Sequence, residues 1–299
     1  MKYFIVSDIH SCFSELKKSL DRVKFDRNNP EHMLIVCGDI FDRGEEAVET
    51  FNFLSSLNKK NCILIKGNHE ELYLDLLEKD FPENHDFSNG TVETFCQIAN
   101  VNPDLMNIRK IIKEEMTKNG AEDCDLVEIL NKSNNKMFTR WKEILEIVKK
   151  SKVTKWLKSS RWIDYYELDK YIFVHGFIPT VSIVPTYDKD VSYYRKYFTY
   201  NENWRKKSTK EQWKESRWGC PFKQYNAGLF NEEKKNGKIL VCGHWSVNDF
   251  HLEYENKPND YSIYYGSNLI ALDGCTVLTK QVNVLVIDNN LNIVKNFIK

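Results

Sequence analysis

Apolar residues fall along this chain in two alternating textures. Short unbroken runs, Tyr3-Phe4-Ile5-Val6, Leu34-Ile35-Val36-Cys37, Cys62-Ile63-Leu64-Ile65, Tyr171-Ile172-Phe173-Val174 and Ile239-Leu240-Val241-Cys242, stop abruptly at glycine or polar residues. Runs of this kind predict strands buried on both faces, as in a parallel sheet covered by helices. Between the first three the spacing lengthens. Phe13, Leu16, Leu20 and Val23 predict a helix within 11–25, capped by Ser11 or Ser14. Val48, Phe51, Phe53, Leu54 and Leu57 predict a second within 45–57, and a third is predicted over 70–77. Strand, helix, strand, helix, strand is a parallel α/β opening.

From 78 to 160 the pattern is helical and highly charged, with one stripe through Ile108, Ile111, Ile112 and Met116 and another through Trp141, Ile144, Leu145, Val148, Val153, Trp156 and Leu157. This reads as a helical insertion or cap within a single domain spanning 1–299, because strand-like runs resume after it. Residues 161–167 and 170–176 predict a hairpin, and 269–273 and 282–288 predict closing strands of a second, antiparallel sheet. The stretch 187–222 interleaves Tyr187, Tyr193, Tyr194, Tyr197, Trp204, Trp213 and Trp218 with Arg195, Lys196, Arg205 and Arg217. Such an aromatic and basic flap either packs on the core or forms a rim that stacks bases and draws in phosphates.

Composition narrows the class. A chain of 299 residues that is 41% hydrophobic buries a core without staples. Lys plus Arg and Asp plus Glu both number 43, so general nucleic-acid binding is not expected. The 8 cysteines lack the paired spacing of a zinc ribbon and predict buried free thiols in a reducing compartment. The first apolar run is too short for a signal peptide, and no stretch is long enough to span a bilayer, so the expected location is the cytoplasm, with no membrane partner.

The chemistry gathers where the five runs end. They lead into Asp8 and His10, Asp39, Asn68 and His69, His175, and His244. In an open α/β sheet the carboxyl edge is where ligands bind. Oxygen and imidazole donors without a thiolate suit a hard or borderline metal. Their number exceeds the needs of one ion with an open position, which points to two ions bridged by a shared carboxylate.

The series Ser7-Asp8-Ile9-His10, Gly38-Asp39-Ile40-Phe41-Asp42-Arg43-Gly44, Gly67-Asn68-His69-Glu70, His175-Gly176 and Gly243-His244, in this order, resembles the calcineurin-like metallophosphoesterase superfamily. Its Asp-Arg-Gly and Gly-Asn-His-Glu forms resemble the phosphoprotein (serine/threonine) phosphatase branch, in its bacterial or phage type. The resemblance implies a four-layer α/β/β/α sandwich and a cofactor of two divalent ions, manganese or alternatively iron, zinc or nickel. It implies that Asp8, His10 and Asp39 hold the first ion, that Asp39 bridges, and that Asn68, His175 and His244 complete the second. A hydroxide shared by the ions then attacks phosphorus in line. His69 matches the general acid, Asp42 the carboxylate that orients it, and Arg43 the arginine that binds phosphate oxygens. Arg217 matches a second such arginine, with Arg205 its rival.

Ser88-Asn89-Gly90-Thr91 followed by Thr94 is similar to an Asn-Gly-Gly-x-x-Thr element of bacterial phosphatases and dinucleoside polyphosphate hydrolases, with Thr91 in place of the second glycine. By this likeness Asn89 is a candidate substrate contact; a turn and helix cap is the plainer reading. Many relatives outside the phosphatase branch carry a second histidine where this chain has Ser246, and His251 is a possible substitute or a surface histidine. The expected substrate is a phosphorylated protein or another small phosphate ester, most directly phosphoserine or phosphothreonine. The alternatives are symmetrical hydrolysis of diadenosine tetraphosphate and, more remotely, phosphodiester or nucleic-acid-end cleavage.

Overall fold

A computed structural model describes residues 1–119, 126–182 and 197–294. In it β1 (Lys2–Val6), β2 (His32–Cys37), β3 (Cys62–Ile65) and β4 (Trp162–Ile163) lie side by side and parallel. β5 (Tyr166–Glu167) and β6 (Tyr171–Phe173) form an antiparallel hairpin that opens a second sheet. A separate ribbon pairs β7 (Thr180–Ser182) with β8 (Phe198–Tyr200). The second sheet continues with β9 (Ile239–Cys242), parallel to β6, and its far edge is β10 (Tyr264–Tyr265) against β11 (Leu269–Ala271). β12 (Leu285–Ile287) returns to the first sheet, antiparallel to β1.

Strand alternation sorts the apolar side chains into three cores. Ile5, Ile35, Cys37, Tyr171, Phe173, Val241, Ile270 and Leu285 meet between the two sheets. Phe4, Val6, Leu34, Val36 and Leu64 point the other way, into helices that cover the first sheet. Ile172, Val174, Leu240, Cys242 and Ala271 do the same on the second. The result is helix, sheet, sheet, helix, which explains why these strands read as continuous apolar runs: each face of each sheet is covered.

Three expectations are corrected. The closing segments do not form a second antiparallel sheet: β11 runs parallel to β9, and β12 joins the first sheet. The expected hairpin over 161–176 is divided, since Trp162–Ile163 extends the first sheet from β3 while Tyr166–Glu167 starts the second. The first helix, Phe13–Arg22, has no side-chain cap; Ser14 donates to Glu46 instead. Between β3 and β4 lie helices that include Thr91–Ala99, Ile108–Asn119 and the 25-residue Leu126–Lys150, and Phe95, Ile111, Trp141 and Val148 from them extend the first sheet's outer core. In the flap, Trp204 and Trp213 are buried in the second sheet's outer core, whereas Tyr187, Tyr193, Tyr194, Arg195 and Lys196 lie outside the described residues. No described helix is long and apolar enough to cross a membrane.

Candidate active site

The ends of β1, β2 and β3 from one sheet meet those of β6 and β9 from the other, and backbone bonds continue the pairing past the strands. His10 N–H donates to the Asp39 carbonyl (3.0 Å), Gly243 N–H to the His175 carbonyl (2.8 Å), and His244 N–H to the Asp8 carboxylate (3.0 Å). The turns are tight. Asp8, His10, Asp39, Asp42, Arg43 and His244 all hold positive φ, between 47° and 71°, a conformation that non-glycine residues rarely keep without a functional reason. Gly38, at φ +84°, lets β2 turn beneath the centre: a Cβ there would stand 2.6 Å from Gly67 Cα and 2.7 Å from His175 Nδ1.

Asp39 occupies the middle of the cluster. Its carboxylate lies 3.9 Å from His10 Nε2, 3.9 Å from His69 Nε2 and 3.3 Å from His175 Nε2, so it is shared by two groups of potential ligands, His10 with His69 and His175 with His244. Both buried imidazoles that flank it have the second hydrogen bond typical of metal ligands. His10 Nδ1 donates to the Phe41 carbonyl (2.9 Å) and His175 Nδ1 to the Cys37 carbonyl (2.7 Å), which turns each Nε2 inward. His175 Nε2 faces two acceptors, Asp39 Oδ1 and Asn68 Oδ1 (2.8 Å). Two oxygens and a nitrogen aimed at one another require a proton or a cation between them.

The charges fit a pair of cations. Burial, with Asp273 and Asp39 close by, raises the Asp8 carboxyl well above its usual range. Burial pushes His10 well below the ordinary imidazole value and lowers His244 to about 3, so both are held neutral, in the form that ligates. Burial works against the charged form of Asp39 too, but His175 and His69 outweigh it and hold the carboxylate well below its usual range. Burial also opposes protonation of His175, yet Asp39 overrides it and raises the group from 6.5 to about 9. That raised value stabilises the metal-free fold below pH 6.5, and the contribution is lost as pH rises through about 9. A metal ion at Nε2 must displace the proton, so affinity for this ion is expected to rise about tenfold per pH unit between pH 7 and 9. Calorimetric titrations in buffers of different ionisation heat measure this directly; affinity flat across the range, with no proton released, contradicts it.

Beside the cluster, His69 Nδ1 donates to Asp42 Oδ2 at 2.7 Å, and burial of His69 is outweighed by Asp39 and Asp42, which raise its pKa. Asn68 and His69 open the helix Asn68–Leu76, so the third apolar run delivers them directly from β3. The Arg43 guanidinium donates to Nε2 of both His10 and His69, each at 3.0 Å. Arg217 is buried and paired with Glu71 and Asp164. Its rival Arg205 is committed elsewhere, to Glu167 (2.7 Å) and Glu233 (2.7 Å). Asn89 gives its side-chain amide to the His85 carbonyl (2.8 Å) and terminates the helix Asn84–Ser88. His251 is neither a ligand nor a surface group: it is buried between Glu255 and the Ser262 carbonyl, both at 3.0 Å. Ser246 caps the helix Val247–Glu255.

Three contributions escaped the sequence reading. Glu70 accepts from the N–H groups of Asp39 (3.0 Å), Ile40 (2.9 Å) and Gly67 (2.7 Å), bracing two strand ends at once. Thr91 and Thr94 bond the Asp42 carboxylate. Asp273, buried just past β11, has its carboxyl raised to about 6 by burial, despite the Cys275 N–H bond at 2.8 Å. Asp273 was discoverable, because Leu269-Ile270-Ala271-Leu272 leads into an acid as the runs before Asp8 and Asp39 do.

A family model of calcineurin-like phosphoesterases matches residues 1–277. The chain belongs to that family. Its members are metal-dependent phosphoric-ester hydrolases. Over 70 residues it is 39% identical to the symmetrical bis(5'-nucleosyl)-tetraphosphatase of Buchnera aphidicola subsp. Baizongia pistaciae, a match covering 23% of this chain and 24% of that protein. It is 36% identical over 72 residues to serine/threonine-protein phosphatase 1 of Salmonella typhimurium, covering 24% of this chain and 31% of that one. The chain thus matches a quarter to a third of the length of these curated relatives. A solved cold-active protein tyrosine phosphatase superposes with a TM-score of 0.50 at 17% identity, over 97% of this chain and 74% of the other, and shows the shared fold.

Proposed function

We propose that this protein is a dinuclear-metal phosphoric-ester hydrolase and that its substrate is a dinucleoside polyphosphate cleaved symmetrically. The observation that carries the first part is Asp39, one buried carboxylate shared between two sets of imidazoles. Asp8, His10 and Asp39 would hold one ion and Asn68, His175, His244 and Asp39 the other, with manganese the expected metal for assay. Such ions, when bound, make water acidic enough to attack at neutral pH and offset phosphate charge.

The chain's own groups do the rest. Arg43, which faces Nε2 of both His10 and His69, finds a stronger acceptor in a phosphate oxygen, and its departure frees His69 Nε2 to carry a proton. Where the leaving group is an alkoxide or phenoxide, His69 then protonates the leaving oxygen while Asp42 keeps the ring aligned. Arg217 is the second phosphate contact, exchanging one of its carboxylate partners for substrate. Seven cysteines among the described residues are free thiols, which favours a reducing compartment, the cytoplasm.

The choice of substrate rests on Trp218 and on the relatives. Trp218 follows Arg217, is 41% exposed, and sets its ring edge-on to the His244 imidazole at 6.0 Å. An open indole beside the reacting centre is a platform on which a nucleobase stacks for about 1–3 kcal/mol. The Buchnera relative's name describes that substrate. The second reading is a phosphoprotein phosphatase, favoured by the name of the Salmonella relative. The deciding assay offers the manganese-loaded protein diadenosine tetraphosphate, a phosphothreonine peptide and phenyl phosphate side by side. Preference for the dinucleotide with nucleoside diphosphate as product supports the proposal. Preference for the peptide replaces it with the second reading, and no turnover of any of the three overturns both.

A further inference from the structure

We propose that Thr91 and Thr94 are positioning residues for His69, acting through Asp42; this rests on the hydrolase reading above. The Asp42 carboxylate has no solvent exposure and three side-chain donors. Oδ2 accepts from His69 Nδ1 at 2.7 Å and from the Thr91 hydroxyl at 2.8 Å, and Oδ1 accepts from the Thr94 hydroxyl at 2.7 Å. Asp42 N–H in turn donates to Thr94 Oγ1 at 3.1 Å, closing a small ring.

This geometry does what a single bond cannot. The carboxylate torsion of an aspartate is broad, so one partner on Oδ2 leaves the plane free to turn. Two hydroxyls, one on each oxygen, fix that plane, and the remaining lone pair of Oδ2 is then directed at His69 Nδ1. The ring is steered as a consequence, with Nε2 held 3.0 Å from Arg43 Nη2 and 3.9 Å from Asp39. The hydroxyls arrive in register because Thr91 and Thr94 are three apart on one face of the helix Thr91–Ala99. The start of that helix is wedged against the loop that it braces. Gly90 holds φ +83°, and a Cβ on it would stand 2.4 Å from Arg43 N. Thr91 stands where the Asn-Gly-Gly-x-x-Thr element has its second glycine, so this chain carries a donor that the element lacks.

The test separates aim from stability. Thr91→Val keeps the shape and removes the hydroxyl; Thr91→Ser keeps the hydroxyl. With the manganese-loaded enzymes, Thr91→Val is expected to lower kcat about tenfold on phenyl phosphate, whose leaving oxygen needs the proton, and less than about threefold on 4-nitrophenyl phosphate, with KM unchanged on both. Thr91→Ser restores the phenyl phosphate rate. Independently of turnover, NMR of the metal-free, histidine-labelled proteins should show a downfield His69 Nδ1–H resonance in the parent and in Thr91→Ser that shifts or broadens in Thr91→Val. Equal losses on both esters, or an unchanged His69 resonance in Thr91→Val, overturn the proposal. If the parent protein turns over neither ester nor diadenosine tetraphosphate, the hydrolase reading has failed instead, and the resonance still decides whether Thr91 aims His69.

Discussion

Asp39→Asn is expected to cost the protein at least one of two bound metal ions and about a thousandfold in turnover. Asparagine preserves the size of the side chain and can still accept the His69 N–H that Asp39 Oδ1 accepts at 3.0 Å. Glu70 still holds the loop through the N–H groups of residue 39 and Ile40, so the fold around the site is retained. What disappears is the negative charge that faces His10, His69 and His175 together. An amide oxygen binds one cation weakly and bridges two poorly. His175 also loses the neighbour that raises it to about 9, so the metal-free variant lacks the stabilisation that the parent's imidazolium supplies in full below pH 6.5 and loses as pH rises through about 9. Elemental analysis of metal-reconstituted protein, beside kcat on a phosphate ester, checks both halves. Two ions retained with near-parental activity would remove Asp39 from the centre of the scheme.

The layout that puts Asp39 there was legible from short-range pattern. Unbroken apolar runs ending in glycine or a polar residue marked five strands and the polar groups that gather at their tips, because a strand covered on both faces has no polar position until it leaves the core. Pairing was not legible. Leu285–Ile287 and Leu269–Ala271 look alike as strings, and only the path of the chain decides that one flanks β1 and the other β9. Contacts made by residues far apart in sequence were equally hidden. Nothing local to Thr91 announces Asp42, 49 residues away, and nothing local to Arg217 announces Glu71, 146 residues away. The two rival arginines are both held by such contacts, Arg205 by Glu167 and Glu233 and Arg217 by Glu71 and Asp164.

His69→Asn is expected to act on one step and to depend on the ester. The imidazole spans the site, Nδ1 on Asp42 and Nε2 toward Asp39 and Arg43, and protonating a departing alkoxide or phenoxide from Nε2 contributes about 10²–10⁴-fold. Asparagine can still bond Asp42 but has no titratable proton to give. On a phosphothreonine peptide or phenyl phosphate, kcat should therefore fall by that full factor, with KM changing little because Arg43 still holds the phosphate. On 4-nitrophenyl phosphate, whose leaving group departs unprotonated, the loss should be small. Diadenosine tetraphosphate belongs with the second group: symmetrical cleavage breaks a phosphoanhydride, and the departing nucleoside diphosphate is stabilised by its own phosphate. An enzyme whose substrate is such an anhydride thus keeps much of its natural activity without His69, while one built for phosphoproteins keeps almost none. Equal rates for parent and variant on phenyl phosphate would show that His69 is not the acid. A full loss on the dinucleotide would show instead that the imidazole also holds the substrate, and the assignment would move from proton donor to phosphate contact.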